Sequence, residues 1–155
     1  MVETIKELSS LSTKLNQKSD KLNSIISTVN RKLTKLNFGI EVWLAHDPVE
    51  AGDYQVFYDE NEHEESASQR TITLLGYAKV DDEWQLAVKR TLCQINEAGE
   101  EEITNTWGVQ PLLKAPRVVR SSAMRLIPDL LDALKDRGES LLRAIEKAEK
   151  AAEEL

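Results

Sequence analysis

A chain of 155 residues that is 41% hydrophobic and 30% charged is too apolar to stay disordered and long enough to close a core without disulfides or metals, so one domain spanning 1–155 is expected. Its net charge of −7 argues against a nucleic-acid partner, because phosphates require a positive surface. No segment approaches the roughly 18 consecutive apolar residues of a membrane span, and the opening MVETIKELSSLSTKL lacks an apolar signal core. With a single cysteine, Cys93, a reducing cytoplasm is the expected location.

Residues 1–37 hold no Gly or Pro and repeat every seven, so they predict a long helix. Leu8, Leu15, Leu22, Val29 and Leu36 form one row and Leu11 and Ile25 an interleaved row, with Lys18 and Lys32 interrupting the second. The triplet KLN recurs at 14–16, 21–23 and 35–37, so polar positions share the period. Ser, Thr and Asn are mediocre helix formers, which makes the helix dependent on packing.

At Phe38 the period switches to two. Phe38, Ile40, Val42 and Leu44 alternate with polar and small residues and Trp43, a strand that ends in the loop 46–53. Tyr54, Val56 and Tyr58 predict a second strand, and 59–69 a solvated acidic loop. A third strand is expected over 70–80, a fourth over 84–95 and a fifth over 102–109. A three-residue loop Asp81-Asp82-Glu83 would set Val80 opposite Trp84 and keep apolar residues off Gln85 and Lys89. Pro111 and Pro116 bracket a linker. From Met124 to Leu155 a 3-4 apolar spacing persists through Gly138, predicting one continuous helix over 116–155, with a kink near 124–128, or a true start there at Pro128, as the alternative.

The expected fold is therefore α+β: a long N-terminal helix, an antiparallel sheet of about five strands over 38–110, and a long C-terminal helix, with both helices on one sheet face. That face is expected to carry Ile72, Leu74, Val88 and Leu92. Helices of some 30–38 residues span roughly 45–57 Å, more than the ~34 Å of a ten-residue strand. They should overhang the sheet and pack on each other there, as an antiparallel pair within the chain or by exchange in a homodimer.

No motif fixes a reaction, so no catalytic, cofactor-binding or metal-binding residue and no cofactor is assigned. His46 and His63 lack zinc-site spacing, no Gly-rich phosphate loop is present, and the position of Cys93 in a strand pattern favours a buried structural thiol. Two surfaces stand out. Trp43, Phe57, Leu75, Tyr77 and Ile95 gather on the second sheet face as a partner surface, against the plainer reading of a solvated mixed face. Arg117, Arg120 and Arg125 form the best basic cluster, suited to an anion or acidic partner, or to internal pairing with the acidic 38–69 region. The leading expectation is a non-enzymatic interaction or self-assembly module whose partner is another protein or a second copy. The alternatives are a small-ligand domain or enzyme with a pocket lined by Trp43, Tyr54, Tyr58, Trp84 or Trp107, and nucleic-acid binding through 114–125.

Overall fold

The computed structural model describes residues 1–58 and 64–155, with the backbone alone for 56–58 and 64–67. Helix α1 spans Val2–Leu36. Three short strands follow, β1 (Val42–Trp43), β2 (Glu50–Ala51) and β3 (Gln55–Tyr58), and all pair antiparallel with one edge of the long β4 (Glu64–Val80). Strand β5 (Glu83–Ile95) pairs with the other edge of β4, and β6 (Glu101–Pro111) with β5. A 3-10 turn at Leu112–Lys114 leads to α2 (Arg117–Ala123), a second 3-10 turn and α3 (Ile127–Glu153). The class is α+β, with the helices on one face of an open antiparallel sheet. The loop expected over 59–69 is shortened, because β4 already begins at Glu64; residues 59–63, including His63, lie outside the described residues.

The β4–β5 turn decides which residues face the helices. Asp81 and Asp82 have φ of 52° and 62°, and Val80 pairs with Glu83, so the loop has two residues and the positive φ values of a type I′ turn. The three-residue loop is thus corrected. A primed two-residue turn matches the right-handed twist of its strands, and Asp is among the few side chains that tolerate positive φ. Tyr77 now opposes Leu86 and Leu75 opposes Val88. These four join the core beneath the helices, with Trp84 packed against it, whereas Ile72, Leu74 and Cys93 cluster with Trp43 on the other face. Gln85 and Lys89 are accommodated there: Gln85 Nε2 donates to the Val80 carbonyl at 2.9 Å and Lys89 Nζ lies 4.2 Å from the centre of a Trp43 ring.

Helix α1 buries Ser19, Ile26 and Leu33, with Leu22 and Val29 packed beside them. The row that interleaves with Leu8, Leu15, Leu22, Val29 and Leu36 is therefore Ile5, Ser12, Ser19, Ile26 and Leu33. Leu11, Lys18, Ile25 and Lys32 sit one residue off the seam and are exposed, so the lysines do not interrupt it. The C-terminal helical segment is divided. Pro128 has no N–H for the Met124 carbonyl, which bonds the Ile127 N–H instead, and α3 starts afresh with Pro128 in its first turn. Gly138 lies inside α3, where a Cβ would stand 2.7 Å from Phe38 Cζ, so the ring packs directly on the helix backbone.

Gly76 is a tighter approach. A Cβ there would lie 2.3 Å from Trp43 Cε3 and 2.6 Å from the Val42 carbonyl oxygen, and a backbone oxygen in a paired strand cannot step aside cheaply. Gly76→Ala is predicted to destabilise the fold by about 1–3 kcal/mol, read as a lower urea midpoint at unchanged slope.

Candidate functional site

The heptad asparagines attach α1 to the rest of the molecule. Asn16 Oδ1 accepts from Arg117 Nη2 at 2.8 Å and Asn23 Oδ1 from Arg120 Nη1 at 2.9 Å, both across to α2. Asn30 Oδ1 accepts the Leu86 backbone N–H at 2.8 Å. Strand β6 reaches Pro111 opposite Ala87 and goes no further, so Leu86 has no strand partner on that side and the asparagine supplies the missing acceptor. Asn37, the last of the column, adopts the left-handed conformation that ends the helix, with φ of 49°.

These contacts set the direction of the helices. Asn16 meets Arg117 and Asn23 meets Arg120, Leu33 and Leu36 line one groove with Leu131 and Leu134, and Phe38 packs on Gly138. The partners ascend together, so α2 and α3 run beside α1 in the same sense. The antiparallel intrachain pair is corrected: α1 overhangs at its N-terminal end and α3 continues past the C-terminal end of α1. The chain returns from β6 through Leu112–Pro116 to the middle of α1, and α2 then retraces that path.

Two arms result. The α1 stripe continues from the covered Leu22, Ile26, Val29 and Leu33 back through Leu15, Leu8 and Ile5, which are exposed, Leu8 by 58%. The α3 stripe continues from the buried Ile127, Leu130 and Leu134 into Leu141, Leu142 and Ile145, also exposed, Ile145 by 46%. Each arm prolongs a core-facing stripe beyond the core. The period seen in the sequence is thus longer than the part of each helix that the chain covers.

The aromatic surface is dispersed by the register. Leu75 and Tyr77, 0% and 1% exposed, lie under the helices and cannot meet a partner. Trp43 and Ile95 are half-buried on the opposite face, and the side chain of Phe57 lies outside the described residues. Nor do Trp43, Tyr54, Trp84 and Trp107 converge, and the side chain of Tyr58 lies outside the described residues. Trp84 stacks on Tyr77 at 5.7 Å and lines a cleft of about 510 Å³ with Asn30, Arg31 and Thr34, while Trp107 lies on β6 opposite Arg90.

Sequence reasoning missed a polar cluster over Cys93. Arg70 makes a bidentate contact to Glu101, at 2.8 and 3.0 Å from Nη2, and its guanidinium lies 4.8 Å from the Tyr54 ring centre while the Tyr54 hydroxyl donates to Glu101. Burial, then a hydrogen bond with Glu101, pushes the Cys93 thiol up to about 11. Burial pulls the Glu101 carboxyl upward, but hydrogen bonds from Tyr54, Arg70 and Cys93 outweigh it and hold the group below its ordinary range. A thiol kept protonated and buried is no nucleophile, and the cluster acts as a clasp joining β4 to β6. The pairing of residues 54, 70 and 101 depends on strand order, which local patterns do not carry.

The three arginines have internal partners. Besides the asparagine contacts, Arg125 donates to Asp47 at 3.4 Å and to the Pro48 carbonyl at 3.0 Å, tying the second 3-10 turn to the acidic region. Among the described residues no group of three or more His, Cys, Asp or Glu is placed to share a metal ion, and no helix is long and apolar enough to cross a membrane. Comparison of the chain with family models, curated proteins and solved structures gives no match.

Two outcomes follow from these contacts. Asn30→Ala strands the Leu86 N–H and is predicted to cost about 1–3 kcal/mol, whereas Asn16→Ala, at an exposed contact, should stay within about 0.5 kcal/mol in the same urea titration. For Cys93, a folded-state value above the ordinary 9.0 means that the folded form holds its proton longer; stability is intact below pH 9 and falls as pH rises towards about 11. Cys93→Ala should flatten that decline in alkaline denaturation curves, leaving the part due to Tyr77, raised by burial, and Tyr54, raised by its hydrogen bond to Glu101.

Proposed function

We propose that this chain is a non-enzymatic interaction module, in which an α+β body presents two apolar helical arms for protein–protein assembly. The observation that carries this reading is that both arms continue stripes whose other halves form the core, Leu22 to Leu33 in α1 and Ile127 to Leu134 in α3. The α1 arm is also a poor helix by itself: Ser9, Ser10, Ser12 and Thr13 lie within it, and a helical stretch of some 12–15 residues is marginal in water without packing. A partner over Ile5, Leu8 and Leu15 supplies that packing. The internal engagement of Arg117, Arg120 and Arg125 argues against an anion or nucleic-acid role for them, and the separation of Trp43, Tyr54, Trp84 and Trp107 argues against a ligand pocket shared by these four.

Sedimentation across a wide concentration range and co-purification test this reading, with Leu8→Glu and Ile145→Glu as arm variants. Assemblies that both substitutions dissolve, with unchanged thermal unfolding of the body, are expected. A chain that stays monomeric at every concentration, and retains no protein that the substitutions release, overturns it.

A further inference from the structure

We infer that the occupant of each arm is the opposite arm of a second copy, so that the chain assembles head to tail: residues 139–155 of one copy lie alongside residues 1–18 of the next. This rests on the interaction reading above and specifies its partner. The direction of the helices comes first. Because α2 and α3 run beside α1 in the same sense, α3 emerges past Leu36 along a lane that α1 has just vacated, and α1 of another copy, arriving in the same sense, refills it.

The point of entry is formed in the molecule. Where α1 ends, Leu33, Leu36, Phe38, Leu131, Leu134 and Leu142 line an apolar groove of about 450 Å³ that extends to the first leucines of the α3 arm, and Leu36 is 66% exposed. A second α1 entering there meets α3 across the groove that Leu33 and Leu36 share with Leu131 and Leu134 within the chain. The stripes agree in spacing, since Ile5, Leu8, Ser12 and Leu15 follow the same 3-4-3 pattern as Ile145, Ala148, Ala152 and Leu155. Small Ala148 and Ala152 leave room for leucines from a facing helix.

Charge selects the unlike pairing. Residues 2–18 carry three lysines against two acids, and residues 139–155 five acids against three bases, so unlike arms attract while two α3 arms repel. An interface between two different surfaces of the same chain does not close on itself after two copies, and gives a ring or an open filament.

The test uses two full-length variants whose substitutions fall on exposed positions, Leu8→Glu with Leu15→Glu in one arm and Leu141→Glu with Ile145→Glu in the other. The unmodified chain should show a mass that climbs past dimer with concentration. Each variant alone should be monomeric, and an equimolar mixture should form a one-to-one dimer, because one intact arm of each kind remains. A variant that dimerises by itself overturns the head-to-tail pairing while leaving the interaction reading in place. An unmodified chain that is monomeric throughout overturns self-association, and the interaction reading then stands or falls on co-purification. Should a variant fail to fold, Ser12→Cys and Ala152→Cys chains in a Cys93→Ala background give the same discrimination. Disulfide trapping is expected only when the two are mixed, and trapping within either chain alone overturns the pairing.

Discussion

The seating of the C-terminal half of α1 on the β4–β5 ladder governs everything else in this molecule. Ile26 and Leu33 enter the core beside Tyr77, Leu86 and Val88, and Asn30 completes the hydrogen bonding of β5 where β6 stops. An apolar contact alone would let the helix slide or rotate by a residue. One side-chain acceptor locked to one backbone donor fixes both, since leaving the Leu86 N–H buried and unpaired would cost about 1–3 kcal/mol.

With α1 placed, the other elements have little freedom. Arg117 and Arg120 find Asn16 and Asn23, about four and two turns back from Asn30 along the same asparagine column, which lays α2 parallel to α1, and Pro128 restarts the helix so that Ile127, Leu130 and Leu134 can reach the core. Phe38, two residues past the end of α1, packs on Gly138 of α3. Beyond that point the apolar stripes of both helices are exposed among the described residues. Length is not the cause, since the 17 residues of β4 reach about 56 Å and the 35 of α1 about 52 Å; the arms follow from two helices that run the same way and are seated on the body over only part of their lengths.

The opposite sheet face is stabilised differently. Trp43 flattens onto Gly76 beneath Lys89, and Tyr54, Arg70 and Glu101 clasp the surface over Cys93. Long side chains that are half apolar and half charged cover strand surface without a second layer of helices. Apolar residues such as Ile72 and Leu74 are buried by this means, and the partner surface expected on that face shrinks to scattered half-buried side chains.

The amino-acid pattern by itself determined the class and order of elements, because helix and strand periods are local and the switch at Phe38 is abrupt. It also showed the two apolar stripes and the continuity through Gly138, whereas the break at Pro128 is, from sequence, only the alternative to one continuous helix. Only the tertiary structure decided which rows those stripes bury. Leu11 and Ile25 share the seven-residue period of Ile26 and Leu33, and nothing but the body beneath them tells the rows apart. Face assignment in the sheet hung on one turn, where a primed two-residue loop and a three-residue loop differ by a single residue and therefore by every side chain's direction. Helix direction, the clasp over Cys93 and the asparagine column's partners join residues up to 101 positions apart, and separations of that kind leave no trace in a local pattern.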